Sequence, residues 1–467
     1  MAPPRFRTLL LVFFALAAGA VLRLSFIHGV TRIDGDPLLY GDIAKNWLTH
    51  GIYGRSFSTS SGMRFISPTL IRLPGYPAFL ALCFALFGIE HYRAVCFAQV
   101  AIDLTSCLLI AACVRRAVSP RAGMIALWLA ALCPFTANYV AIPLAETLSI
   151  FCVALGCYAF VSILERPGWL AISALAFAWS YAAMLRPDGA LLGVSLASAF
   201  VVYGRRTLGF GRAVRLVSAA TLLALVPFAA WTVRNWRTFH VFQPLAPRYA
   251  NDPGETTSPG FERWARTWMA DFASTYEVYW NVPGDDIEIQ SLPSRAFDSA
   301  AEYEQTRRLF TAYNLHDTVT PQIDAGFARL AAERIRAHPL RYWATLPLLR
   351  LADMWLRPRV EMLNIELRWW QYSKHRAETR FAVEYGALNL AYLLAGLAGM
   401  FYWRGLYKDG SARALSAAML IYITLRSLVL LTVAAPEPRY TLECLPLVIV
   451  FAAAGIESVL HSGATAQ

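Results

Sequence analysis

The segment "RIDGDPLLYGDIAKNW" (residues 32–47) places three carboxylates, Asp34, Asp36 and Asp42, within nine positions, with Lys45 just beyond. It follows directly on an apolar run, residues 8–28. A carboxylate beside a membrane has two chemical uses. It takes a proton from a nucleophile, or it joins other oxygens in holding a divalent cation, for which Asp34 and Asp36 form a literal Asp-x-Asp. It also has a structural use, because Asp36 followed by Pro37 reads as a helix N-cap and an N1 proline. Cap and base both stand open for Asp36. Four arginines, Arg72, Arg186, Arg234 and Arg439, fall at ends of apolar runs. Guanidinium groups hold phosphate bidentately, whereas any one of the four alone reads equally as a snorkelling anchor. Glu146 opens another apolar run after Pro143. It is a functional candidate as an ionisable group beside a span, or simply a solvated cap.

These groups need a scaffold, and the composition says which. The chain has 467 residues, 57% hydrophobic and only 16% charged, against roughly a quarter charged in a soluble domain. That is an all-α polytopic membrane protein. Residues 8–28 read as a retained first span rather than a cleaved signal. Net charge is +11, yet the arginines gather in short loops such as "VRRAVSPR", "YGRRTLGFGRAVR" and "WRGLYKDGSAR". This is the positive-inside pattern, and it excludes nucleic acid as the partner. The eight cysteines lie in or beside apolar segments, where they act as small core residues; no disulfide framework or zinc site is expected.

Basic loops around Arg115, Arg205, Arg404, Lys408 and Arg413 orient the spans. Parity then demotes two apolar segments. Residues 74–88 become an in-plane or re-entrant helix, and 340–356, carrying Arg341, Arg350 and Asp353, an interfacial one. About ten crossings result, with both termini cytoplasmic. Three regions follow: an N-terminal module, 1–233, including a first exoplasmic loop, 29–73; an exoplasmic subdomain, 234–339; and a C-terminal part, 340–467. Leu39, Ile43, Trp47 and Leu48 have helical spacing and predict a helix over 37–50. Asp103, mid-span, needs a partner, and Arg23 is one candidate for a structural pair. The stretches "YEVYWNVP" and "LRWWQYSKH" are either interfacial belts or sugar-stacking surfaces.

Asp36-x-x-x-Tyr40, Ala44 and Gly51-x-Tyr53-Gly54 resemble the first exoplasmic loop of the GT-C glycosyltransferases. The bacterial branch, similar to protein O-mannosyltransferases and the lipid A aminoarabinose transferase, is the nearer likeness. "RLPGYPAFLALCFALFG", "NYVAIPLAETLSIF", "MLRPDG", "PFAAWTVRNW" and "APEPRYTLECLPL" match the family's later stretches in order and sidedness. The resemblance implies a GT-C-like bundle of about 10–12 transmembrane and interfacial helices with two exoplasmic loop regions. It implies a polyprenyl-phosphate sugar donor, an acceptor that is protein, lipid or glycan, and a multi-pass place in the bacterial inner membrane with a periplasmic site. In that family the first-loop aspartate is the carboxylate, here Asp36. Glu146 would face it, and Arg72 and Arg439 would take the lipid phosphate. Arg186, Arg234, Lys45, Tyr40 and Tyr440 complete the implied binding set. The related oligosaccharyltransferases add acids in the second outer loop, where this chain offers Glu146; a metal-free site is expected, with Asp34 and Asp36 as the ligands if a divalent ion is used. A lipid-linked-sugar flippase or transporter, an O-antigen-ligase-like enzyme and a structural envelope subunit are the competing readings.

Overall fold

The computed structural model describes residues 4–30, 33–59, 61–371, 373–406 and 410–465. Lys408 of the last basic loop lies outside the described residues. In chain order the elements are α1 (Pro4–Gly29), α2 (Asp36–His50), β1 (Gly54–Ser58), β2 (Arg64–Pro68), α3 (Gly75–Phe87), α4 (Tyr92–Ala117), α5 (Pro120–Ala131), α6 (Pro134–Ala137), α7 (Glu146–Glu165), α8 (Trp169–Leu185), α9 (Ala190–Thr207) and α10 (Phe210–Phe239). They continue with α11 (Pro259–Ala265), α12 (Phe272–Ser274), α13 (Ala300–Asn314), α14 (Pro321–Ala337), α15 (Leu346–Leu356), α16 (Arg376–Leu406), α17 (Gly410–Leu430) and α18 (Leu445–Thr465). The protein is an all-α polytopic membrane protein.

Among the described residues eight helices are long and apolar enough to cross a bilayer: α1, α4, α7, α9, α10, α16, α17 and α18. The pair formed by α5 and the helical stretch Pro134–Ala141 is bent by 47° and makes a ninth if it is one broken span. At 17 residues α8 reaches the lower limit for crossing, about 17 residues. At 13 residues α3 falls short of it. Side chains such as Leu9, Phe13, Leu86, Leu170 and Leu222 are exposed. Only a lipid surround makes that exposure inexpensive.

The chain divides into two compact units. The first comprises residues 1–254, 391–424 and 442–467, and the second 255–390 and 425–441. In the first, α1 and α4 are tied by the expected pair: Arg23 Nε donates to Asp103 Oδ2 at 2.7 Å. The first loop holds α2 and a hairpin, β1 paired antiparallel with β2. The helix agrees with the one expected over 37–50, whereas five residues per strand give the hairpin too little alternation to register in the sequence. Asp42 fastens the two together, accepting from Ser56 N and Ser56 Oγ at 2.7 Å each. All eight cysteines are buried free thiols.

The second unit has its own aromatic core, with Trp264, Trp268, Phe310 and Phe327 at its centre. Asp324 of α14 accepts from Gly260 N and Phe261 N at 3.0 and 2.9 Å. It thereby puts a negative charge on the otherwise unbonded amides that open α11. In α15, Leu346, Arg350 and Met354 point inward at helical spacing, while Leu348, Leu349 and Leu356 are exposed. That two-faced pattern suits an interfacial helix.

Asp353 of α15 accepts from Phe272 N at 3.0 Å, with Arg357 3.5 Å away. Burial nevertheless pushes its carboxyl up to about 6. The fold therefore retains a proton that the unfolded chain releases near pH 4. Stability from this group is complete below pH 4 and declines as the pH rises through 6, by up to about 3 kcal/mol. Thermal unfolding in detergent should show the wild type losing stability between pH 5 and pH 7.5. Asp353→Asn should remove that slope, and an unchanged slope in the variant would refute the assignment.

Candidate active site

Asp36 begins α2, but it does not cap it. The cap position is Gly35, at φ 66° and without a side-chain bond. The carboxylate of Asp36 instead receives Arg72 Nη2 at 2.8 Å. The capping reading of Asp36 is thereby corrected: a long-range arginine takes the carboxylate. One helical turn later Tyr40 lies under the same guanidinium, with the Arg72 carbon 5.7 Å from its ring centre, as i and i+4 share a helix face. The Tyr53 hydroxyl donates to the carbonyl of Arg72 at 2.9 Å, fixing the backbone there. Burial holds the Tyr53 phenol well above its ordinary range, so it remains a donor.

A second group forms around Arg186. Its Nη1 lies 3.4 Å from Glu146 Oε1, and its Nε lies 3.4 Å from Asp188 and 3.9 Å from Glu443. Glu443 also accepts from the Tyr422 hydroxyl at 2.8 Å. Glu146 and Glu443 are both buried.

Two glycines let the backbones carrying these groups approach. A Cβ on Gly75 would sit 2.6 Å from the backbone of Met184, and one on Gly189 would sit 2.2 Å from the carbonyl of Ala182. The Tyr181 hydroxyl seals the contact, donating to Gly75 O at 3.1 Å. The loop after Arg72 is thus pressed onto the end of α8 that leads into Arg186. Between the two groups stands Tyr76. Its ring meets Tyr40 edge-on at 5.1 Å, and it is within electrostatic reach of Glu146. Its hydroxyl donates to Gln99, whose amide holds the carbonyls of Val140 and Ile142 just before α7.

The first unit therefore gathers Asp36, Tyr40, Arg72, Glu146 and Arg186. Lys45 is nine residues beyond Asp36 and so on the opposite side of α2. It pairs with Glu90 at 2.7 Å. Arg234 donates to the carbonyls of Tyr53 and Thr69 at 2.7 and 2.8 Å and packs over Tyr53, Trp231 and Phe239. Those bonds make it an anchor of the first loop. Arg439 and Tyr440 lie in the second unit, where both bond Glu437. Asp34 is exposed ahead of α2. Among the described residues no three His, Cys, Asp or Glu side chains gather at ligand spacing. Of the two aspartates, Asp36 is already engaged by Arg72.

Several positions escaped the sequence reading. Asp188 and Glu443 sit inside stretches already quoted, "MLRPDG" and "APEPRYTLECLPL", but nothing local marks them as partners of Arg186. Asp252 accepts from Arg55, Thr69 Oγ1 and Leu70 N and so braces the first loop from far along the chain. In the second unit the buried Arg359 donates to Pro438 O at 2.8 Å and Thr441 Oγ1 at 2.6 Å, clamping the turn that bears Arg439 and Tyr440.

Residues 71–231 match the family described as dolichyl-phosphate-mannose-protein mannosyltransferase. The match includes Arg72, Tyr76, Glu146 and Arg186, and Asp36 precedes it. No curated protein sequence matches the chain. Among solved structures, an oligosaccharyltransferase from Archaeoglobus fulgidus, tethered to an acceptor peptide, superposes with TM-score 0.54 at 12% identity, over 98% of this chain and 50% of its own. The oligosaccharyltransferase AglB from the same archaeon, in complex with an inhibitory peptide and a dolichol-phosphate, gives TM-score 0.54 at 12% identity over 99% and 51%. ArnT from Cupriavidus metallidurans gives 0.41 at 14% identity over 98% and 79%. The chain spans about half the length of the oligosaccharyltransferase structures it matches. Residues 71–231 are thus similar to a mannosyltransferase family, and the chain as a whole shares the fold of the archaeal oligosaccharyltransferase.

Proposed function

We propose that the chain transfers a sugar from a polyprenyl-phosphate-linked donor to a protein, lipid or glycan acceptor on the exoplasmic face of a bacterial inner membrane. The observation that carries this reading is the Asp36–Arg72 pair, a carboxylate and a guanidinium 2.8 Å apart and each only partly covered. An acceptor hydroxyl or amine attacks the anomeric carbon and gives its proton to Asp36. The bond from that carbon to the phosphate oxygen breaks, and its electron pair departs with the polyprenyl phosphate. Arg72 stabilises the charge that grows on the departing phosphate, a role in which a fixed cation does most when water is excluded. Arg186 is a second cation in the same unit, and Glu146 orients it. Arg439 and Tyr440 enter on the family resemblance. The related archaeal enzyme captured with a dolichol-phosphate supports a lipid-phosphate donor.

The donor class is tested in proteoliposomes. Transfer is expected from a polyprenyl-phosphate hexose and not from the corresponding nucleotide sugar. Transfer from the nucleotide sugar alone would sink the proposal.

A further inference from the structure

The two aromatic stretches left unresolved by the sequence, "YEVYWNVP" and "LRWWQYSKH", contribute to one cleft of the second unit. Its volume is about 450 Å³, and its lining includes Tyr276, Glu277, Asn281, Asp286, Glu288 and Arg368. The size is that of a small-molecule site, roughly 300–1,000 Å³, and far beyond a lone ion. Tyr276 is 50% exposed. Its ring is backed by Trp280 at 5.6 Å and Phe272 at 6.4 Å. Arg368 and Glu277 form a two-pronged pair, Nε to Oε1 at 3.0 Å and Nη2 to Oε2 at 2.7 Å. Arg368 also reaches Ser291 O at 3.3 Å, which stiffens that wall. Asp286 and Glu288 are exposed, and no described cation pairs with either.

That set of groups selects a ligand class. Three carboxylates against one arginine, itself already paired, repel phosphates and other anions. An aromatic ring with a solvent-facing side suits the C–H face of a pyranose. Fixed carboxylate, amide and guanidinium groups suit its hydroxyls. We propose that this cleft is a glycan-binding subsite that receives hydroxyl-bearing sugar rings of the acceptor. The assignment rests on the transferase reading and sharpens it, because it makes the acceptor a glycan.

Calorimetry on the purified full-length protein with four-ring manno-, cello- and chito-oligosaccharides tests the cleft without any transfer. Saturable binding of at least one is expected. It should weaken about tenfold in Tyr276→Ala and in the exposed double variant Asp286→Asn, Glu288→Gln. Binding of none of the three, binding unchanged in both variants, or binding of tetralysine in place of every glycan would each overturn the proposal. In the transfer assay Tyr276→Ala should raise KM for the acceptor and leave KM for the donor; a rise confined to the donor would also overturn it. Glycan binding without any sugar transfer would remove the transferase reading and leave the cleft standing. Transfer by a protein that binds no glycan would do the reverse.

Discussion

Replacing Asp36 by Asn should lower sugar transfer by 10²–10⁴-fold while leaving the protein as abundant and as stable as the wild type. The size of the loss follows from removing a general base. The unchanged stability follows from the setting of the pair. The Asp36 side chain is 31% exposed and that of Arg72 25%, so the ion pair belongs with surface pairs worth about 0–1 kcal/mol. Asn keeps the shape and one oxygen that still accepts from Arg72, and no helix cap is lost because Gly35 holds that position. A cap-only Asp36 would show the opposite pattern, stability moving by about 1 kcal/mol and transfer staying near normal. Transfer rate and melting temperature of the same preparation separate the two. A full rate in Asp36→Asn would end the assignment of Asp36 as the base.

What was legible in the sequence was whatever repeats locally. Leu39, Ile43 and Trp47 announced α2; Gly51 closes the helix at φ 68° with its amide on Trp47 O. The short length of 74–88 announced a helix too short to cross, and the lone Asp103 announced a partner. Those signals lie within one turn, one span, or one forbidden burial. The arrangement of the candidate site is different in kind. Arg72 meets Asp36 across 36 residues, and Glu443 is near Arg186 only because the chain returns from a distant helix. Neither pairing leaves a periodic trace in either segment. The same gap explains Arg234. It shares with Arg72 a place at the end of an apolar run, yet one guanidinium goes to a carboxylate and the other to two carbonyls. Position along a span says that an arginine is at the surface; only the fold says what it faces there.

The pair between α1 and α4 gives the largest expected effect on stability. Arg23 and Asp103 are essentially inaccessible, at 0% and 1%. Besides Asp103, Arg23 donates to Gly19 O at 2.9 Å and Ala131 O at 2.7 Å, so one guanidinium ties three segments. Asp103→Ala leaves a guanidinium in hydrocarbon with carbonyls for company, and breaking a buried pair in this way costs about 3–5 kcal/mol. The double variant Arg23→Met, Asp103→Leu removes the unpaired charge together with the pair. It should recover most of that loss, since an apolar replacement of similar volume is often neutral. Thermal unfolding of the wild type, Arg23→Met, Asp103→Leu and the double variant closes a cycle that yields the coupling directly. Asp103→Ala as stable as the wild type would contradict the burial argument. The cycle also bears on chemistry: a structural pair predicts that the double variant transfers sugar at near the normal rate. Loss of transfer in a stable double variant would move Asp103 from the framework to the site.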